Sequence, residues 1–365
     1  MAQSSGVILK TVHSFTNKAS TGSHPFSSLI SDSRGYLFGT ASAGGTQKLG
    51  TIFRLAGGKV TVLTTFQLTN GAFPTSKLVL ANNGLFYGVT LGGGSESLGT
   101  IFKMAPHGKL TTLINFNGTN GAQPTGPLTK AGSRMFYGTT SRGGALGFGT
   151  IFKVTYNGNL KTVINFNSVN GAEPNGELLL SDDGDLFGTT SYGGKYNLGT
   201  IFRFTKFGRL KTLISFNGSN GSYPMSNLIQ DADANLYGTT FGGGSYGLGT
   251  IFKVNSSDSL ETLINFNGQN GAVPYSGLTQ GLDGYFYGTT SRGGTFNRGT
   301  VFRISSTGAL TTIVHFNGSN GEAPFSNLFQ AANGRLYGTT YVGTETDANP
   351  NQPGKGGIYS IKIGS

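Results

Sequence analysis

Three phrases recur along this chain at intervals of about 50 residues, and that periodicity constrains its fold more than any other feature. GT[IV]F[KR] begins at Gly50, Gly99, Gly149, Gly199, Gly249 and Gly299, with a degenerate last copy at Gly357-Ile358-Tyr359. An aromatic-glycine phrase, [LF][FY]G[TV]T, places its glycine at Gly88, Gly138, Gly188, Gly238, Gly288 and Gly338. Its first copy, Leu37-Phe38-Gly39-Thr40-Ala41, departs at the last residue. NGxxP ends at Pro74, Pro124, Pro174, Pro224, Pro274 and Pro324, with Pro25 in the variant GSHP. A unit this short buries its apolar residues only by stacking on its neighbours, so the chain is an array of seven units.

Each unit reads as four short strands. In the third, PTGPLTKA, RMFYGTT, GTIFKVT and LKTVINF are rich in Thr, Val, Ile, Phe and Tyr and are separated by Gly, Asn and Ser. No stretch carries the 3.6-residue period of a helix. Four-stranded sheets repeated seven times predict an all-β, seven-bladed propeller occupying residues 1–365 as one domain. A parallel β-helix, the rival repeat fold, uses shorter rungs. The chain opens with a fourth-strand segment, Val7 to Val12, and closes with a third-strand segment, Gly357 to Lys362. Residues 7–15 are therefore expected to complete the last blade and remove two unpaired sheet edges.

On these phrases the chain resembles the Gloeo_Verruco, or GloVer, tandem-repeat proteins along essentially its whole length. The resemblance implies a seven-bladed propeller and carries no catalytic residue with it. A looser similarity, through the proline before strand one and the Gly-aromatic wording of strand two, runs to virginiamycin B lyase-type propellers. Their acid–base elimination chemistry is an analogy of fold alone.

Composition removes several functions. With no Cys there is no disulfide framework, thiolate metal site or Cys nucleophile. Lys+Arg 26 against Asp+Glu 15 leaves a net charge of +11. Many of the basic residues, however, fill one slot per repeat: Arg54, Lys103, Lys153, Arg203, Lys253 and Arg303. Charge spread in this way forms no patch, so nucleic acid is not an expected partner. No apolar run approaches the roughly 20 residues of a membrane helix, and no membrane association is expected. MAQSSGVILKTVHSF has no basic region followed by an apolar one. A cytoplasmic monomer is the expectation for the chain as it stands, and a secreted one if a leader precedes it.

Functional candidates are the positions at which the copies disagree. Directly after the proline stand Phe26, Thr75, Thr125, Asn175, Met225, Tyr275 and Phe325. Two residues further on come Ser28, Lys77, Pro127, Glu177, Asn227, Gly277 and Asn327. Lys77 and Glu177 are the charged members, read either as acid–base groups or as a solvated ion pair. In the loop between strands two and three, Arg142 and Arg292 stand in identical SRGG phrases and suit a carboxylate or phosphate. Tyr192, Tyr196, Phe241, Tyr246, Phe296 and Tyr341 add aromatic surface for a sugar or an aromatic ligand. The segment 341–357, with Glu345, Asp347, Pro350 and Pro353, is long enough to serve as a lid.

His24 is the one histidine expected at the channel entrance. His13 and His315 fall in outer-strand segments and His107 in a hairpin turn. No HExxH, GxSxG or Walker phrase occurs, and the acidic turns around Asp183 and Asp231 read as ordinary hairpins. The sequence thus supports a cofactor-independent enzyme of the lyase, isomerase or cyclase type, with no metal, acting on a small organic or sugar-like ligand. Glu177 or Lys77 would be the base, Tyr275 or His24 the proton donor, and Arg142 or Arg292 the anion clamp. Asn227, Asn327, Tyr192, Tyr341, Phe26, Phe325 and Met225 would line the site. The alternative is a carbohydrate-binding, lectin-like or other ligand-binding propeller without catalysis.

Overall fold

The glycine of one phrase and the phenylalanine of the next face each other across a ladder, and that contact is repeated in sheet after sheet. In the computed structural model, which describes residues 6–16, 21–343 and 354–364, Gly138 is registered opposite Phe152. A Cβ on Gly138 would lie 2.5 Å from the end of the ring. A close-packed interior leaves no room for it: YGTT needs its glycine because GTIF needs its ring. Gly88 with Phe102, Gly188 with Phe202, Gly238 with Phe252 and Gly288 with Phe302 repeat the pairing.

Seven four-stranded antiparallel sheets result, the seven-bladed β-propeller that the repeat predicts. Blades one to six span residues 30–65, 79–115, 129–165, 179–215, 229–265 and 279–315. Blade seven takes three strands from 329–363, and Val7–Ser14 completes it by pairing with Gly357–Ile363, as the two termini led one to expect. Among the described residues the only helical element is a single 3-10 turn, Leu68–Asn70.

The first strand is shorter than the sequence suggests. Of PTGPLTKA only Thr129–Ala131 joins the ladder, since Pro124 and Pro127 have no N–H to give. The preceding residues still alternate: Thr125 and Pro127 are half-buried, Gly126 and Leu128 buried. A register shift interrupts each pairing of the outermost strand, as between Ile151 and Phe152. Such bulges twist an exposed edge away from other chains.

Two compact units hold these blades. Residues 1–66 with 266–365 contain blades one, six and seven. There Tyr287, Val301 and Phe316 of blade six pack on Leu328, Leu336 and Tyr359 of blade seven, and Phe15 and Ile358 pack on Leu29 and Phe53. Residues 67–265 contain blades two to five. Their core is built the same way, for example Phe187, Ile201 and Phe216 against Leu228, Leu236 and Phe252.

The NGxNG stretch before the first strand of blades three, five, six and seven ties itself together. The Asn117 N–H donates to Asn120 Oδ1 (2.9 Å) and the Asn120 N–H to Asn117 Oδ1 (3.0 Å). Gly118 and Gly121 exchange both backbone hydrogen bonds.

Candidate functional site

The loop that enters each first strand and the loop between strands two and three are bonded to each other in all seven blades. Backbone bridges join Ser23 to Ala43, Ala72 to Gly92, Ala122 to Arg142, Ala172 to Tyr192, Ser222 to Gly242, Ala272 to Arg292 and Glu322 to Val342. In each blade the variable positions therefore share one loop face. The residue before the proline is left-handed every time: His24, Phe73, Gln123, Glu173, Tyr223, Val273 and Ala323 have φ between 52° and 57°. Proline steers its predecessor away from the right-handed region, and the bridge fixes which alternative it takes. Sequence reasoning singled out His24 at this position and passed over Glu173 and Tyr223. Their signal was present, because the slot varies between copies as much as the one after the proline.

In the unit formed by 1–66 and 266–365, five of the candidates converge. Phe26 stacks on Phe325 with centroids 5.3 Å apart and meets Tyr275 edge-on at 5.3 Å. Phe325 contacts Tyr275 at 5.1 Å and Tyr341 at 5.5 Å. The His24 ring lies 4.6 Å from that of Tyr341. Phe26, Tyr275 and Phe325 are half-buried and Tyr341 is exposed, so the cluster presents an aromatic surface that is not sealed in the core. Burial, and then the Lys355 charge, pull the His24 imidazole below its ordinary 6.5, so it is neutral at pH 7. Burial pushes the Tyr275 hydroxyl above its ordinary 10.0, which keeps it a phenol. Asn327 accepts from the Gly277 N–H through Oδ1 (2.7 Å). Arg292 is exposed and has no acidic partner among the described residues. Of the expected lid, residues 344–353 lie outside the described residues.

In the unit 67–265, Lys77 Nζ and Glu177 Oε2 meet at 2.7 Å, with side chains 30% and 20% exposed. The two charged departures of the inner strands are thus each other's partner. Nearby in the repeat, Thr125 donates to Asn175 Oδ1 (2.9 Å) and Asn175 Nδ2 to Ser191 Oγ (2.7 Å). Gly126 and Gly176 replace a buried serine and allow close approach: a Cβ on Gly126 would lie 2.5 Å from the Gly176 carbonyl oxygen. Met225 and Asn227 occupy half-buried positions in blade five. Arg142 reaches the Glu173 carboxylate at 3.7 Å, and Tyr192 packs on Tyr223 at 5.2 Å.

On the hairpin-turn face of the same unit a cavity of about 350 Å³ opens between blades four and five, with Asp183, Arg203, Asp231 and Asp258 in its lining. These four charges are committed to local structure, Arg203 by its pairing with Asp185. Asp183 accepts from Ser181, Asp231 from Asn235 and Tyr237, and Asp258 pairs with Lys211. No group of three or more acidic or histidine ligands placed to hold a metal occurs among the described residues.

Fold and repeat together define a tandem-repeat propeller. A model of the Gloeobacter/Verrucomicrobia repeat matches residues 2–184, 56–236 and 170–350, and the chain belongs to that family. Among solved structures it is similar to virginiamycin B lyase from Staphylococcus aureus (13% identity, 98% of this chain and 99% of that one, TM-score 0.63). It also resembles the extracellular domain of a putative hybrid two-component system from B. thetaiotaomicron (13% identity, 96% and 40%, TM-score 0.64). A third is a putative 6-phosphogluconolactonase from Bacteroides uniformis (19% identity, 83% and 88%, TM-score 0.55). At these identities the likeness is one of fold. No curated protein matches the chain in sequence.

Proposed function

We propose that the protein binds one small organic or sugar-like ligand per chain against the aromatic cluster around Phe26 and acts on it by cofactor-independent acid–base chemistry. The observation that carries this reading is asymmetry. Blades two to five put Thr75, Thr125, Asn175 and Met225 in the slot where blades one, six and seven put Phe26, Tyr275 and Phe325. Rings gathered once per chain suit a single ligand whose apolar face stacks on them while a few polar groups orient it. His24, neutral at pH 7, supplies a proton acceptor at the edge of the cluster, and Tyr275, held as a phenol, supplies a hydrogen-bond donor. The lyase and putative lactonase activities named for two of the similar propellers accord with an enzyme and leave the reaction open among elimination, isomerisation and cyclisation.

A lectin-like module is the second reading, favoured by the exposed Tyr192, Tyr196, Tyr246 and Phe296 of other loops. Calorimetric titration with a panel of saccharides and sugar lactones separates the two. One site per chain, weakened about tenfold by Phe325→Ala as expected for loss of an aromatic contact, supports the proposal. His24→Gln should then leave affinity in place and lower turnover by about a hundredfold. Several equivalent sites that survive Phe325→Ala would sink the single-ligand reading.

A further inference from the structure

The repeat contains its own comparison for the two SRGG arginines. Residues 136–144 and 286–294 have the same sequence, FYGTTSRGG, and both arginines are bridged in the same way, Arg142 to Ala122 and Arg292 to Ala272. They differ in what the following blade offers. Arg142 reaches the carboxylate of Glu173, the left-handed residue before Pro174, at 3.7 Å. Three repeats on, the residue before Pro324 is Ala323, in the same backbone conformation (φ 52° against 54°). The neighbouring acid, Glu322, is already engaged by Arg298 at 2.7 Å. Arg292 is thus placed as Arg142 is, with the carboxylate removed.

We propose that Arg292 is an anion site, and that the ligand of the aromatic cluster carries a carboxylate or phosphate which takes the place that Glu173 holds against Arg142. This rests on the ligand reading above and adds the charge of the ligand to it. Arg292 belongs to the unit that carries the cluster. Its backbone partner Ala272 lies three residues before Tyr275, and Ala323, whose N–H donates to the Arg298 carbonyl, lies two before Phe325, so the loop that bears the guanidinium is bonded to both a loop that bears Tyr275 and one that bears Phe325. A planar guanidinium matches either anion bidentately, whereas a neutral sugar gives it no charge to pair.

The test measures D-glucuronate, D-glucose 6-phosphate and D-glucose by calorimetry at constant ionic strength. The anionic sugars should bind on the order of ten- to a hundredfold tighter than glucose, the range for a charge-assisted hydrogen bond, and their ranking distinguishes carboxylate from phosphate. Arg292→Met should erase that preference and leave glucose binding unchanged. Ala323→Glu should do the same by supplying the missing carboxylate from within; Glu173 shows that glutamate fits this backbone. Glu173→Ala should expose Arg142 and raise the number of anions bound from one to two. Each variant lies in an exposed or half-exposed loop, and its melting temperature checks the fold. Glucose binding with no preference for the anionic sugars overturns this inference and leaves the proposed function standing. A preference that survives both Arg292→Met and Ala323→Glu also overturns it. Loss of all sugar binding in the unaltered protein overturns both.

Discussion

At position 359 the repeat's buried phenylalanine becomes a tyrosine, and its hydroxyl is enclosed without a hydrogen-bond partner. Gly338, the ladder partner of Tyr359, is also the residue against which that hydroxyl is pressed. A buried polar group left unpaired costs about 1–3 kcal/mol. Tyr359→Phe, which restores the consensus of the other six copies, should therefore raise the chemical-denaturation midpoint. An unchanged or lowered midpoint would show that the hydroxyl has found a partner. The substitution is visible in the sequence as a deviation, but its cost is not, because cost depends on whether the pocket offers an acceptor. Contact partners were hidden in the same way. The variability of Lys77 and Glu177 is plain in the sequence, whereas their 2.7 Å pairing follows from how far one inner strand is offset from the next but one. The left-handed residue before each proline was likewise hidden, since proline only narrows the options of its neighbour and a tertiary bridge selects among them.

Elements were easier to read than sites because each strand announces itself twice, by composition and by a partner phrase. YGTT and GTIF predict adjacent strands once their glycine and ring are recognised as complementary, and the ladders bear this out. Those strands are joined by a second device that their threonines hint at. In blades two to six the last threonine of strand two meets the first of strand three, as Thr90 Oγ1 with Thr100 Oγ1 (2.8 Å) and Thr140 Oγ1 with Thr150 Oγ1 (2.7 Å). Blade one departs from this, for Ala41 replaces the first threonine and Thr51 Oγ1 is buried with no partner. What reads in the sequence as drift is a missing hydrogen bond. Ala41→Thr should stabilise the protein by about 1 kcal/mol, measured as a shift in midpoint at constant slope. A destabilised variant would mean that blade one has packed around the smaller side chain.

For the molecule as a whole, the histidines set how stability responds to acid. Burial pulls the pKa values of His13, His24 and His315 below the ordinary 6.5. His13 Nε2 is enclosed without a partner. His315 Nδ1 accepts the Thr295 N–H (3.1 Å), the task that Asn165 Oδ1 performs for Ala145 in blade three (2.8 Å), and protonation would remove that acceptor. Since each imidazole takes up its proton more readily in the unfolded chain, stability is complete above about pH 6.5 and declines as pH falls through the lowered folded values. Melting temperatures measured from pH 8 to pH 5 should fall on the acid side. His315→Asn, which keeps the acceptor and removes the titration, should make that fall shallower. An equal fall in the variant would assign the acid sensitivity to other groups.

The reciprocal bonds of the NGxNG stretches bear on how the chain ages. Asparagine followed by glycine is the step most prone to deamidation: the glycine nitrogen attacks the side-chain carbonyl, ammonia leaves, and the cyclic imide opens to aspartate or isoaspartate. This chain carries fourteen such steps, and in thirteen of them, all but Asn175-Gly176, the glycine N–H is bonded to a carbonyl oxygen of a neighbouring turn or loop, which ties down the nucleophile. The folded repeat thus shelters a composition that would be chemically short-lived as an open chain, and isoaspartate in an old sample would date the time its molecules have spent unfolded.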